Sequence, residues 1–197
     1  MPTHLHTHYC VAHRLFLCAL LTLATACVPI LPHDEYVPEM THGKIFVEGC
    51  WGQKRVEYQV DGIAMTARII KWPPGLLKLE FMFDVPEGNT LELLSQDVRI
   101  TSRTANTTNT TRIPGISLTE NPSLPLEPMG AMVGRDIVIY GKRLPRHFWL
   151  FAPVEDIVSD EMRITLPTVK INGRAVTIPD IQFTRRVRIQ LMAPVQC

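Results

Sequence analysis

Along this chain apolar residues recur at every second position in short runs. Val56, Tyr58 and Val60 alternate with Arg55, Glu57 and Gln59, and after Asp61-Gly62 the residues Ile63, Met65, Ala67 and Ile69 resume the pattern. A period of two belongs to a strand buried on one face. Asp-Gly between two such runs is a hairpin signal, because both turn residues tolerate positive φ. Trp72-Pro73-Pro74-Gly75 closes this hairpin, and Leu77, Leu79, Phe81, Phe83 and Val85 then form the clearest strand, with Lys78, Glu80, Met82 and Asp84 on its other face. Shorter strands are predicted over 90–94, 98–101, 136–140, 148–151, 162–166, 169–171, 181–183 and 187–191. The residues 141–147 join two of them, Pro153 to Met162 fits one helical turn, and Asn172-Gly173 marks a second hairpin.

About nine short strands, two tight turns and no helical period predict an all-β fold, an antiparallel β-sandwich of immunoglobulin-like or jelly-roll-like order. The predicted core comprises Val56, Tyr58, Phe81, Phe83, Val98, Ile100, Ile139, Ile164, Ile171, Phe183 and Ile189. The pattern breaks at Ser102 to Arg112, SRTANTTNTTR, which has no apolar face and reads as an exposed loop. Irregular sequence continues to Gly130, longer than loops usually are. It crosses between sheets, hides a short strand, or serves as a functional loop. Asn106 and Asn109 each head an N-x-[ST] triplet, a glycan acceptor in a eukaryotic secreted protein and a chance match in a bacterial one.

Ahead of the β pattern, Leu15 to Ala26 is apolar, uncharged and preceded by Arg14. It is too short for a membrane-spanning helix and has the length of a signal-peptide core. Ala24-Thr25-Ala26 then precedes Cys27. This stretch, about residues 14–28, resembles the lipobox of bacterial prolipoproteins, in which small residues precede a cysteine that is lipidated and becomes the mature N-terminus. It departs from that pattern in placing Leu23 four residues before the cysteine rather than three. The same Ala-Thr-Ala also reads as an ordinary cleavage site yielding a soluble secreted product. The resemblance implies a signal peptide over 1–26, a lipidated Cys27 with a proline-rich tether over 27–43 (prolines at 29, 32 and 38), and a β-domain over 44–197. Val28 after the cysteine implies sorting to the outer membrane.

With Cys10 and Cys18 removed in the signal, the mature chain keeps Cys27, Cys50 and Cys197, an odd number. Lipidation of Cys27 accounts for one and leaves Cys50 and Cys197 as a disulfide pair, worth about 4 kcal/mol by loop entropy, or as two free thiols. The chain holds 20 Lys and Arg against 19 Asp and Glu, and Arg14 is the only one of them before Cys27. That neutral balance argues against nucleic acid as a partner, since phosphate binding needs a cationic surface.

Chemistry is sparse. His4, His6 and His8 have a metal-ligand spacing but fall within the signal peptide. No catalytic motif follows Cys27, and no cofactor is implied. His147 is the one imidazole in the middle of the domain, and Glu155, Asp156, Asp160 and Glu161 form an acidic cluster. Arg185, Arg186 and Arg188 make a small basic patch; Trp72, Trp149, Tyr140 and Phe151 are candidates for an aromatic binding face. The expectation is an envelope lipoprotein with a non-enzymatic binding or assembly role, facing the periplasm and meeting an envelope protein or glycan. The alternative is an exported hydrolase or carbohydrate-active domain. That version needs His147 beside Asp156 or Asp160 in a cleft.

Overall fold

Backbone pairing follows the period-two runs. The computed structural model describes residues 30–39, 43–48, 53–72, 76–121, 123–154 and 159–191, and of 30–33, 48, 53, 72 and 188–191 the backbone alone. Chain contacts divide into two units, Met1–His33 with Val187–Cys197, and Asp34–Arg186; the second is the unit described here. All regular structure among the described residues is strand, in several antiparallel sheets, none of them closed into a barrel.

The largest sheet has seven strands in the order β11-β12-β5-β4-β3-β2: β2 (Lys44–Glu48), β3 (Gln53–Val60), β4 (Ile63–Trp72), β5 (Leu76–Val85), β11 (Asp136–Ile139) and β12 (Lys142–Pro153), with β9 (Ile116–Ser117) also on β12. A five-stranded sheet runs β1 (Ile30–Pro38), β16 (Ile181–Leu191), β13 (Glu161–Thr165), β7 (Asp97–Ser102), β8 (Thr107–Arg112). Four short strands, β10 (Met132–Val133), β6 (Thr90–Leu93), β14 (Val169–Ile171) and β15 (Arg174–Val176), form the third. Both predicted hairpins form, with Asp61, Gly62, Asn172 and Gly173 all at positive φ.

The inward positions of all three sheets meet in one sandwich-like core. Phe81, Phe83 and Leu150 of the seven-stranded sheet, Ile100, Met162 and Phe183 of the five-stranded sheet, and Leu91 and Ile171 of the third belong to it. Nine of the eleven predicted core residues are buried. Ile139 is not: it is 42% exposed near the tip of a hairpin whose two faces both meet solvent, so the apolar run there marks no buried side. The side chain of Ile189 lies outside the described residues.

Other expectations change. Residues 30–38 form edge strand β1, with the Glu39 amide donating to the Gln182 carbonyl at 2.8 Å, where an extended tether is predicted. Prolines at an edge need not join a ladder. The polar stretch 107–112 is edge strand β8, exposed along nearly its whole length and held by β7 through backbone bonds that do not depend on an apolar face. Pro153 ends β12 rather than starting a helical turn, and residues 155–158 lie outside the description. Residues 142–147 continue β12, leaving only Tyr140-Gly141 as the turn.

Candidate functional site

Cys27, Cys50 and Cys197 lie outside the described residues, as do Asp156 and the side chains of Trp72 and Arg188. His147 sits on β12 directly across from Asp84 on β5, and its Nδ1 hydrogen-bonds the Asp84 carboxylate. Among the described residues the partner is therefore a strand neighbour, whereas Glu155 and Asp156 lie outside the description. Asp160 lies 3.7 Å from the Arg185 guanidinium, and Glu161 3.3 Å from Arg103, both against the five-stranded sheet. Among the described residues no serine, threonine or cysteine hydroxyl or thiol hydrogen-bonds to His147, so a nucleophile held by this imidazole is missing from the set. No group of three or more His, Cys, Asp or Glu side chains among the described residues is arranged to hold a metal ion.

The basic patch near the C-terminus is partly neutralised. Arg185 donates to the Asp34 carboxylate at 2.6 Å, and this hydrogen bond holds its pKa above the ordinary arginine value. Of the aromatic candidates, Trp149 and Phe151 share one side of β12, half-buried and buried respectively, while Tyr140 is fully exposed at a hairpin tip.

A second charged group occupies the outer side of the seven-stranded sheet. Arg68 on β4 faces Glu80 on β5 across the ladder, with Nε to Oε1 at 2.5 Å, and also hydrogen-bonds Glu120 beyond β9. Burial works against the charge on Arg68, but the hydrogen bonds and charges of Glu80 and Glu120 outweigh it and raise its pKa. Both of these donor atoms serve carboxylates of the same chain, which is the economy of a structural group.

The outer face of the five-stranded sheet is different. Val98, Ile100 and Ser102 of β7 point into the core, so Asp97, Arg99 and Thr101 point out. Met162 and Ile164 of β13 point in, so Arg163 and Thr165 point out. Register then sets Arg99 between Thr110 of β8 and Thr165 of β13, and Arg163 between Thr101 of β7 and Gln182 of β16. The hydroxyls of Thr101 and Thr108 meet at 3.1 Å beside them. Arg99 and Arg163 are exposed and carry no ion pair among the described residues. Asp97 lies on the strand of Arg99, and Glu161 on the strand of Arg163, where it is committed to Arg103. At one end the face deepens into a groove of about 460 Å³, lined by Arg99, Thr110, Thr165, Thr168, Asp97 and Leu94 among others. That volume is in the range of small-molecule and saccharide sites, although the groove is open.

The two arginines escape notice in the sequence because each looks like the solvent position of an ordinary strand. The alternation of Arg99 with Val98 and Ile100 was the available signal, but it does not say that β7, β8 and β13 are neighbours. Comparison with known proteins finds no matching family model, no matching curated protein and no matching solved structure.

Proposed function

We propose that this chain is an exported, lipid-anchored protein of the cell envelope that acts by binding, with the outer face of its five-stranded sheet as the binding surface. The lipobox-like stretch ending at Cys27 supports the anchor, and with it an address at the periplasmic side of the outer membrane. The observation that carries the binding role is the pair Arg99 and Arg163, both exposed, without an ion pair among the described residues, and set in a field of threonine hydroxyls. Guanidinium groups bind carboxylates and phosphates in bidentate fashion, and hydroxyls complete hydrogen bonds to sugar. The partner chemistry that fits is an acidic envelope glycan. No reaction is required of the site.

The anchor is tested by the intact mass of protein extracted from native membranes, with and without Cys27→Ser. A diacyl or triacyl mass at Cys27 that the variant loses is the expected result; an unmodified chain in the soluble fraction overturns the anchor. The surface is tested by retention on an acidic polysaccharide, polygalacturonate, against neutral dextran. Retention by the acidic polymer alone, weakened about tenfold or more in Arg99→Ser/Arg163→Ser, is expected from two charge-assisted contacts. Equal retention of the double variant removes this face from the proposal. Among the described residues the hydrolase alternative draws on the His147–Asp84 contact, which a cross-strand position already accounts for, since Asp160 faces Arg185.

A further inference from the structure

The hairpin of β11 and β12 is built unlike the rest of the sheet. Asp136 pairs with Pro145, Ile137 with Leu144, Val138 with Arg143 and Ile139 with Lys142, whereas β12 meets β5 only from Arg146 onward, opposite Val85. Residues 136–145 are thus a two-stranded arm running past the end of β5. Such a ribbon is marginal in water on its own. Its apolar side chains make it more costly: Val138 is 68% exposed, and Ile139 and Leu144 are exposed as well.

The tip holds the second anomaly. Tyr140 and Gly141 form the turn, both at positive φ, 51° and 74°. Among the described residues the other non-glycine positions at positive φ are Asp61, Asn106 and Asn172, the types that tolerate this region. A bulky aromatic there is an outlier, and this one is 100% exposed, so no contact within the described structure compensates it. Backbone strain of this kind concentrates at functional positions. Around the tip stand Lys142 and Arg143, with Arg135 and Arg146 at the base; the facing acids are Asp136 and Glu87, the latter 3.7 Å from Arg143 with both side chains well exposed. Cations outnumber acids, and Arg146 lies over the Phe148 ring at 5.2 Å.

We infer that this arm is a membrane-interface probe: Tyr140, Val138 and Ile139 enter the headgroup region of an anionic phospholipid bilayer while Lys142 and Arg143 meet its phosphates. An exposed tyrosine at the apex matches the aromatic belts of bilayer interfaces, which suit a ring with one polar end. Flanking cations match the negative surface potential. A four-residue ribbon extends about 13 Å, enough for the roughly 5–10 Å over which interfacial elements sink. The inference stands apart from the lipid anchor and from the glycan face.

The test is hydrogen exchange of the full chain read by mass spectrometry, with phosphatidylglycerol-containing vesicles and with pure phosphatidylcholine vesicles. Amides of 138–144 are expected to slow about fivefold or more with the anionic vesicles alone. Tyr140→Asn, which suits the turn better and so keeps the hairpin folded, and Lys142→Glu are each expected to abolish most of that slowing. Attachment through the apolar leader or a lipid on Cys27 would bring the chain to both vesicle types without selective protection of 138–144. No slowing there, equal slowing in Tyr140→Asn, or slowing that rises with protein concentration in the absence of lipid would overturn the inference, the last in favour of a second copy of the chain.

Discussion

Tyr58 packs its ring against the core from β3, 4% exposed, and its hydroxyl is buried without a hydrogen-bond partner among the described residues. Burial alone raises its pKa. A buried unsatisfied hydroxyl costs about 1–3 kcal/mol, while the ring contributes its full apolar burial. Tyr58→Phe therefore keeps the packing and removes the penalty, and urea denaturation should report a gain of about 1 kcal/mol with an unchanged m-value. A loss of stability would mean that the hydroxyl is satisfied after all. At this scale the sequence was readable: Tyr58 was legible as core from its spacing to Val56 and Val60. Its hydroxyl's isolation was not, because it depends on what surrounds the ring from other strands. The same limit hid Ile139, which lies in the apolar run of DIVIY although neither face of its hairpin is covered.

Between elements, the described glycine with the least room for a side chain is Gly134, in the link from β10 to β11. Its amide donates to the Asn89 carbonyl at 2.7 Å, and a Cβ built there would lie 1.9 Å from the Pro86 carbonyl oxygen. That oxygen belongs to backbone in the turn joining β5 and β6, itself closed by the Asn89 amide donating to Pro86 at 3.1 Å. Gly134→Ala must push two elements apart and is expected to cost about 3 kcal/mol, as overpacking does. Gly130→Ala, where a Cβ would meet nothing within 4 Å, is expected to stay within about 0.5 kcal/mol. Paired denaturation curves check both, and equal effects would show that the link yields freely. Elements with local signals were legible: the two hairpins turned by Asp61-Gly62 and Asn172-Gly173, and the alternating strand that became β5. Elements held by backbone pairing alone were not. TTNTTR has no apolar period, yet β7 supplies its ladder, and the result is the threonine side of the candidate glycan face. Arg99 and Arg163 were visible as polar positions, but only the non-local pairing of β7 with β13 makes them neighbours.

For the molecule, the consequence is that sheets remote in sequence depend on one core. Tyr36 enters it from β1 of the five-stranded sheet and Tyr58 from β3 of the seven-stranded sheet. Both have pKa values raised above the ordinary 10.0; burial is the main cause for each, with Arg185 offsetting part of the shift at Tyr36 and Asp160 and Asp34 adding to it. A folded-state pKa above the unfolded one means that the native state holds the proton more tightly. Stability from this source is complete below the unfolded value and is lost as pH rises through the folded values. Thermal stability is thus expected to be insensitive to these tyrosines up to about pH 9 and to decline above about pH 10. Because one core joins the sheets, the decline should appear as a single cooperative transition, with tyrosinate absorbance from the buried rings rising together with loss of β-sheet signal. Tyr58→Phe should shallow the alkaline decline, and Tyr36→Phe/Tyr58→Phe should flatten it further. A midpoint that holds steady to about pH 11 in the parent chain would show that both phenols reach water without unfolding. Two separate transitions, one tracking each tyrosine, would show that the sheets melt independently and that the shared core does not couple them.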